Sequence, residues 1–172
     1  MDLMTDKDTD KNADTNSVSQ NLIHKLLEDW SEAMRAKDAE AASRLLAPQD
    51  VEFSLAPPLQ NKLTPEEFAL QLRAWFATFK GSLGFEVRDL RIVAGDTAAF
   101  SHGLCHLSGM KHSGEVIDVW FRKTVGFCKH GDDWKIAHEH DSVPFYMDGS
   151  DRAATDLNPQ GYKYNSHFRS RI

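Results

Sequence analysis

The residues best suited to chemistry lie in the last third of the chain, on two segments whose side chains alternate as in β-strands. Trp120, Arg122 and Thr124 are two residues apart and therefore share one face of the first segment. A direct hairpin to the second segment would place Arg122 opposite Glu139. A charge-assisted pair of this kind is a suitable lining for a polar pocket. Two further carboxylates are expected near the pair: Asp118 and Asp141.

The register of this hairpin decides which side chains meet. Pairing Phe127 with Trp134 brings Glu139 to the arginine and lets the apolar face of the first segment continue across the hairpin. A shift by one residue would turn over every side chain of the second segment and bring His138 and His140 there instead. The turn sequence does not select between the two registers. We favour Glu139, and the histidine arrangement stays open.

Two helices and a short strand are predicted in the first third of the chain. The longest helix starts at Ser17, where Ser17 and Gln20 fit a capping box. A second helix is capped by Asp38 and ends before Pro48, and residues 51–55 then have the pattern of a strand. The first helix has apolar residues at spacings of three and four: Leu22, Ile23, Leu26, Leu27, Trp30 and Met34.

A third helix is marked by its first turn. Thr64, Pro65 and Glu67 supply the cap, the proline at the first position and the capping-box glutamate. The helix is expected to end near Gly81. Trp75 on this helix could roof a pocket and stack on a flat ligand, although aromatic residues at helical spacing are more often core.

From residue 85 onward the hydrophobic period changes from that of a helix to that of a strand. Short turns rich in glycine and aspartate separate the strands, which predicts an antiparallel meander. We therefore expect an α+β fold, with three helices packed on the concave face of a curved, mainly antiparallel sheet that encloses a pocket. The four predicted strands are Phe85 to Val93, Thr97 to Leu107, Glu115 to Cys128 and Trp134 to Val143.

Length and composition predict one globular domain. The chain has 172 residues, of which 41% are hydrophobic. Residues 1–16 are rich in aspartate and almost free of apolar side chains, which predicts a disordered leader. The domain is expected over residues 17–148, followed by a polar tail over 149–172. Cys105 and Cys128 are too few and too far apart for a zinc ribbon and are expected to be free buried thiols.

Charge and hydropathy exclude several partners. The net charge of −6 gives no attraction to the phosphates of nucleic acid or to anionic lipids. No stretch approaches the length of a membrane-spanning helix, and no early segment has the order of a signal peptide. These patterns predict a cytoplasmic protein.

Three stretches carry a family resemblance: Ala56 to Gln60, Arg122-x-Thr124, and Trp134 to Phe145. They resemble the SnoaL-like, ketosteroid-isomerase-like family of the nuclear transport factor 2-like superfamily. The last stretch is also similar to the association domain of calmodulin-dependent kinase. The resemblance covers residues 17–145 and implies a cone-shaped fold, commonly dimeric, with a pocket between helices and sheet. It also implies that no metal or other cofactor takes part.

The resemblance suggests where a base would lie. The general base of the steroid isomerases would fall at Phe53 or Ser54, and neither side chain accepts a proton at neutral pH. Steroid isomerisation by that route is therefore not expected, although two carboxylates lie nearby at Asp50 and Glu52.

The family pattern also suggests that one face of the preceding strand looks into the cavity, with His102 the first candidate for an acid or base. An imidazole near Glu139 or Asp141 could be held in one tautomer and accept a proton from carbon or water. Arg122 would then stabilise an enolate or oxyanion. The alternative is an interior histidine beside a structural ion pair. The residues of this face are Phe100, His102, Leu104 and His106.

Three functions follow from these assignments. The first is a cofactor-independent isomerase, cyclase, lyase or hydratase acting on a small carbonyl or cyclic compound. The second is a non-catalytic binding or oligomerisation module whose pocket holds a small-molecule carboxylate through Arg122. A homodimer is expected under either of these two functions. The third, a cupin-like metalloenzyme using His138-x-His140 with His102 or His106, is disfavoured because three helices precede the sheet and no glycine-flanked histidine motif is present.

Overall fold

The computed structural model describes residues 7–159, with side chains described from residue 16 onward. Three helices and six strands make up this part of the chain. In chain order they are α1 (Lys7–Ala36), α2 (Ala39–Ser43), β1 (Leu46–Phe53), β2 (Asn61–Leu63), α3 (Pro65–Phe76), β3 (Phe79–Ala94), β4 (Ala98–Lys111), β5 (Val116–His130) and β6 (Asp133–Ser142).

The strands form one six-stranded sheet in the order β2-β1-β6-β5-β4-β3. Strands β3 to β6 are an antiparallel meander, as the alternation predicts. Strand β1 runs parallel to β6 and antiparallel to β2, so it extends the meander instead of lying apart from it. The α+β prediction is confirmed, and the curved sheet stays unclosed.

The helix boundaries differ from the predictions at the N-terminus. Helix α1 begins at Lys7, earlier than the predicted start at Ser17. Ser17 consequently lies inside α1 and does not cap it. Residues 1–6 of the predicted leader lie outside the described residues, as does the tail from 160. Helix α2 is capped by Asp38 as predicted, with Oδ1 accepting from the Ala41 N–H at 2.8 Å.

Helix α3 starts as its sequence predicts. Glu67 N–H donates to Thr64 Oγ1, and Thr64 N–H donates to Glu67 Oε2 at 2.9 Å, which satisfies two amides that the first turn leaves unpaired. The helix ends at Phe76, earlier than expected, because β3 already begins at Phe79.

The core lies between the helices and one face of the sheet. Apolar side chains of α1 and α3 pack against the inward residues of β3, β5 and β6, including Ile23, Trp30, Phe68, Phe121 and Ile136. Burial of this apolar surface is the main force that holds the helices on the sheet. Within residues 7–159 no helix is both long and apolar enough to cross a membrane.

Candidate functional site

The two faces of the sheet have different roles. The face that packs against the helices, here called the inner face, carries Phe121, Lys123 and Val125 of β5. The opposite, outer face carries Trp120, Arg122 and Thr124 of the same strand. Phe121 and Val125 are 6% and 2% exposed, whereas Arg122 and Thr124 are exposed. The apolar face is inward because the helices need an apolar surface to pack against.

The predicted pairing of Arg122 with Glu139 is wrong. Arg122 pairs with Ser142, and Glu139 pairs with Val125. The strands turn through the two residues Gly131 and Asp132, so His130 pairs with Asp133, and Phe127 faces Ile136 where Trp134 was predicted.

A β-bulge changes the register further along the same hairpin. Phe127 pairs with Ile136, but the next pair is Gly126 with His138, so Ala137 is an extra residue in β6. An extra residue reverses which side chains point inward beyond it. Glu139 therefore lies on the inner face together with Ile136, although the two are three residues apart.

Seven of the predicted site residues lie on the outer face. The pairs His102 with Thr124 and Thr124 with His140 cross the sheet on that side. The expectation that the face of β4 with His102 looks into the cavity is therefore wrong. On this face His106 stacks on Trp120 at 4.7 Å and Nε2 lies 2.6 Å from Asp118 Oδ1. The seven residues are His102, Asp118, Trp120, Arg122, Thr124, His138 and His140.

A cavity of about 360 Å³ lies between α1, α3 and the inner face. Three predicted site residues line it: Trp75, Glu139 and Asp141. Most of its wall is apolar or aromatic, from Trp30, Met34, Leu55, Ala56, Pro57, Phe68, Leu72, Trp75, Phe85, Leu107 and Phe121. The polar part of the wall consists of Glu52, Ser54, Asn61, Gln71, Lys123, Glu139 and Asp141.

Lys123 is the centre of the charged part of this cavity. Its Nζ lies 2.6 Å from Glu139 Oε1 and donates a hydrogen bond to Asp141 Oδ1 at 3.1 Å. The contact to Glu139 is an ion pair by distance, and Glu139 Oε1 has no well-aligned hydrogen bond among the described residues. The side chains of Lys123 and Glu139 are 11% and 2% exposed, so water screens this pair weakly.

Strand β1 adds two more carboxylates. Glu52 is the Cα partner of Glu139 in the parallel pairing, and it accepts a hydrogen bond from Asn61 Nδ2 at 3.2 Å. Asp50 lies two residues before Glu52, hence on the same face, and is 1% exposed. Neither oxygen of Asp50 has a hydrogen-bond partner within the described part of the chain.

Burial and mutual repulsion set the protonation of these groups. Burial raises the pKa of Glu139 to about 7, because the stabilising charge of Lys123 is opposed by Asp50 and Asp141. Burial and Glu52 likewise raise the pKa of Asp50 to about 6. For Lys123 burial lowers the pKa, but the charges of Asp141 and Glu139 outweigh it and leave the pKa above its ordinary value. Glu139 is therefore a carboxyl that exchanges its proton near neutral pH.

The positions that the resemblance suggested for a base are divided between the two faces. Phe53 lies outward, where its ring contacts His138 and His140 edge-on at 4.9 and 5.6 Å. Ser54 lines the cavity. Among the described residues no group of three or more histidine, cysteine or acidic side chains is arranged to hold a metal ion.

Sequence reasoning missed Lys123 and gave Asp50 and Glu52 only a minor place. The available signal was a lysine in the middle of an apolar alternation, between Phe121 and Val125. A charged residue at an inward position is rare unless it is paired. Such a lysine therefore indicates buried acidic partners on the next strand.

Fold and cavity together define an α+β pocket protein. The SnoaL-like domain model matches residues 23–146, and the chain belongs to this family. A comparison with functionally curated proteins finds no significant match.

Solved structures share the fold. A nuclear transport factor 2-like protein of unknown function from Pseudomonas putida is 27% identical, with a TM-score of 0.73 over 83% of this chain and 98% of that one. A candidate scytalone dehydratase from Novosphingobium aromaticivorans is 19% identical, with a TM-score of 0.67 over 88% and 99%. The association domain of calmodulin-dependent kinase II from Caenorhabditis elegans is 19% identical, with a TM-score of 0.58 over 76% and 99%.

Proposed function

We propose that this protein is a dehydratase or isomerase that acts on a small carbonyl compound, with Glu139 as its general acid and base. The observation that carries the proposal is a carboxyl that lines a largely apolar cavity, is 2% exposed and has its pKa raised to about 7. A group with this pKa is present in both protonation states at neutral pH, which is the condition for efficient proton transfer in either direction.

One carboxyl is sufficient for either reaction. In a dehydration, ionised Glu139 removes the proton next to the carbonyl, the electron pair of that C–H bond forms the C=C bond, and the C–O bond breaks. The protonated carboxyl then donates its proton to the departing hydroxyl, which leaves as water. In an isomerisation the carboxyl returns the proton to a different carbon atom. The Lys123 ammonium lies 2.6 Å from Glu139 Oε1. It stabilises the negative charge of the ionised Glu139 before proton transfer and the negative charge on the substrate after it.

The candidate scytalone dehydratase supports this class of reaction only through a shared fold, because its identity to this chain is 19%. The aromatic wall fits a flat substrate. Trp75 is half-buried at the cavity and packs edge-on against Phe79 at 4.8 Å, so its ring is fixed in place as a stacking surface.

The test uses a panel of β-hydroxy ketones and β,γ-unsaturated ketones, whose conjugated products absorb in the ultraviolet. Glu139→Gln keeps the shape of the side chain and removes the transferable proton, so turnover should fall by roughly 100-fold or more. Glu66→Gln, at an exposed position of α3, is the matched control and should retain full activity. Equal turnover in the Glu139 variant and the wild type would remove Glu139 from the chemistry, and no turnover across the panel would count against this reaction class.

A second function is supported by the outer face. We propose that this face binds a second copy of the chain, as in a homodimeric association module. Phe100 is 46% exposed on this face, and Leu104 and Trp120 of the same face are half-buried. The fold is shared with an association domain.

Light scattering on the purified protein tests the dimer. The expected mass is twice that of the chain, and Phe100→Glu should shift it to one chain because a buried carboxylate at the interface is unfavourable. Leu59→Glu, at a position that is 97% exposed on the β1–β2 loop, is the control. A monomeric wild-type protein would overturn this second proposal and leave the cavity chemistry untouched.

A further inference from the structure

The charges that line the cavity do not balance. Glu52, Glu139 and Asp141 contribute three carboxylates, and Lys123 is the single ammonium among the lining residues. Lys123 already contacts both Glu139 and Asp141. An anionic ligand would therefore meet a cation whose charge is already neutralised and a surplus of negative charge.

The buried acidic groups are incompletely paired. Both oxygens of Asp50, which is 1% exposed, have no hydrogen-bond partner in the described part of the chain, and Glu139 shares its one cation, Lys123, with Asp141. An unpaired buried carboxylate is strongly unfavourable. Glu139 lines the cavity, so a ligand there can reach it.

The aromatic side chains of the cavity wall favour a positively charged ligand. Trp30, Phe68, Trp75, Phe85 and Phe121 surround the same cavity. The faces of aromatic rings attract cations, most strongly in a site from which water is excluded. One cation–π contact is present inside the protein, where Lys123 Nζ lies 5.8 Å from the centre of the Trp30 ring.

We propose that the ligand of this cavity carries a positive charge, as a protonated or quaternary amine attached to an apolar body. The inference rests on the proposed function in one respect, since it takes the cavity that contains Glu139 as the substrate site. Glu52 and the aromatic rings hold the cation, and Glu139 remains the group that exchanges a proton. The sequence predicted a carboxylate ligand held in the pocket by Arg122. Arg122 cannot hold a ligand in this cavity, because it lies on the outer face of the sheet.

Binding of a cation should be coupled to release of a proton. The groups that shift the pKa of Glu139 are Lys123 from β5, Asp50 from β1 and Asp141 from β6. Its Cα partner Glu52 also lines the cavity, while α1 and α3 contribute uncharged side chains. A positive ligand favours the ionised form of Glu139, whose pKa is about 7 in the free protein. Affinity for a permanent cation should therefore rise about tenfold between about pH 6 and about pH 8.

Isothermal titration calorimetry with two probes of the same shape tests the proposal. Benzyltrimethylammonium carries a permanent charge, and 2,2-dimethylpropylbenzene is its neutral analogue. The wild-type protein should bind the cation roughly tenfold more tightly than the neutral compound at pH 8. At about pH 6.5, where much of Glu139 is still protonated, two buffers of different ionisation enthalpy should reveal the released proton. Glu52→Gln should remove most of this preference, whereas Glu66→Gln should leave it unchanged.

The outcomes separate the two proposals. Equal affinity for both probes, tighter binding of the neutral one, or binding of neither would overturn the inference about ligand charge. If the binding test fails in one of these ways but turnover of neutral ketones in the same preparation depends on Glu139, only the inference about ligand charge is overturned and the proposed function stands. If the cation binds as expected and Glu139→Gln keeps full turnover, only the proposed function fails.

Discussion

Lys123 Nζ lies 2.6 Å from Glu139 Oε1, and the two side chains are 11% and 2% exposed. The lysine is shared with Asp141, and a third carboxylate, Asp50, is buried on the neighbouring strand. One ammonium cannot stabilise three ionised carboxylates at once in a medium of low dielectric constant. The protein therefore keeps a proton within this group near neutral pH, which is the physical basis of the proposed acid–base chemistry.

The first prediction concerns stability as a function of pH. The pKa of Glu139 is about 7 in the folded chain, against an ordinary value of 4.5 for a glutamate, so the folded state binds a proton that the unfolded state has already released. This contribution is fully present below the unfolded pKa and is lost as the pH rises through the folded pKa. Glu139→Gln imitates the protonated form, so its stability relative to the wild type should increase by roughly 2 kcal/mol from about pH 5 to about pH 8.

Urea unfolding of both proteins across this pH range measures the difference. Glu66→Gln should give a stability difference that does not change with pH, because that glutamate is exposed. If the stability difference between the wild type and Glu139→Gln is also independent of pH, Glu139 does not hold a proton in the folded state.

The second prediction concerns the loss of the buried cation. Lys123→Met keeps the apolar stem and removes the charge, which leaves Glu139 and Asp141 without their common partner. The cost should be roughly 3 to 5 kcal/mol at about pH 9, and smaller at about pH 5, where the carboxyls can take up protons. Lys62→Met, at an exposed position of β2, should change stability by less than about 0.5 kcal/mol. A cost for Lys123→Met that is independent of pH would contradict the ion-pair account.

The third prediction concerns the two thiols, both of which are free. Cys105 is buried, and burial raises the pKa of its thiol to about 12, whereas Cys128 is only half-buried. Since the thiolate is the reactive form, Ellman's reagent should label Cys128 in the folded protein and Cys105 only on unfolding. Cys128→Ser, which leaves Cys105 as the single thiol, should label slowly until denaturant is added. Rapid labelling of this variant under native conditions would show that Cys105 is accessible.

The fold was predictable where a local pattern specifies it. Thr64, Pro65 and Glu67 define the start of α3, and the period of two defines the four strands of the meander. The segment from Lys7 to Asn16 has no apolar stripe, so its sequence does not predict the first turns of α1. Strand β2 has three residues, which is too short for a periodic signal.

The site was less predictable because it depends on pairing between strands. Alternation shows that Arg122 and Lys123 lie on opposite faces, but it does not show which face the helices cover. That choice follows from the apolar character of the face with Phe121 and Val125. The inward position of Glu139 depends on one bulge at Ala137, which a single sequence does not reveal. Trp75 and Asp141 do line the cavity with Glu139, although Arg122 and His102, which were predicted to act together with this glutamate, lie on the other side of the sheet.

The central claim is that the Glu139 carboxyl exchanges its proton near neutral pH, and a nuclear magnetic resonance titration measures this directly. Protein with ¹³C-labelled glutamate carboxyls is titrated from acid to alkaline pH, and the Glu139 signal is identified by its absence in Glu139→Gln. The account predicts one glutamate with a midpoint near 7, well separated from the exposed glutamates. A midpoint for Glu139 at or below about 5, together with the others, would contradict it.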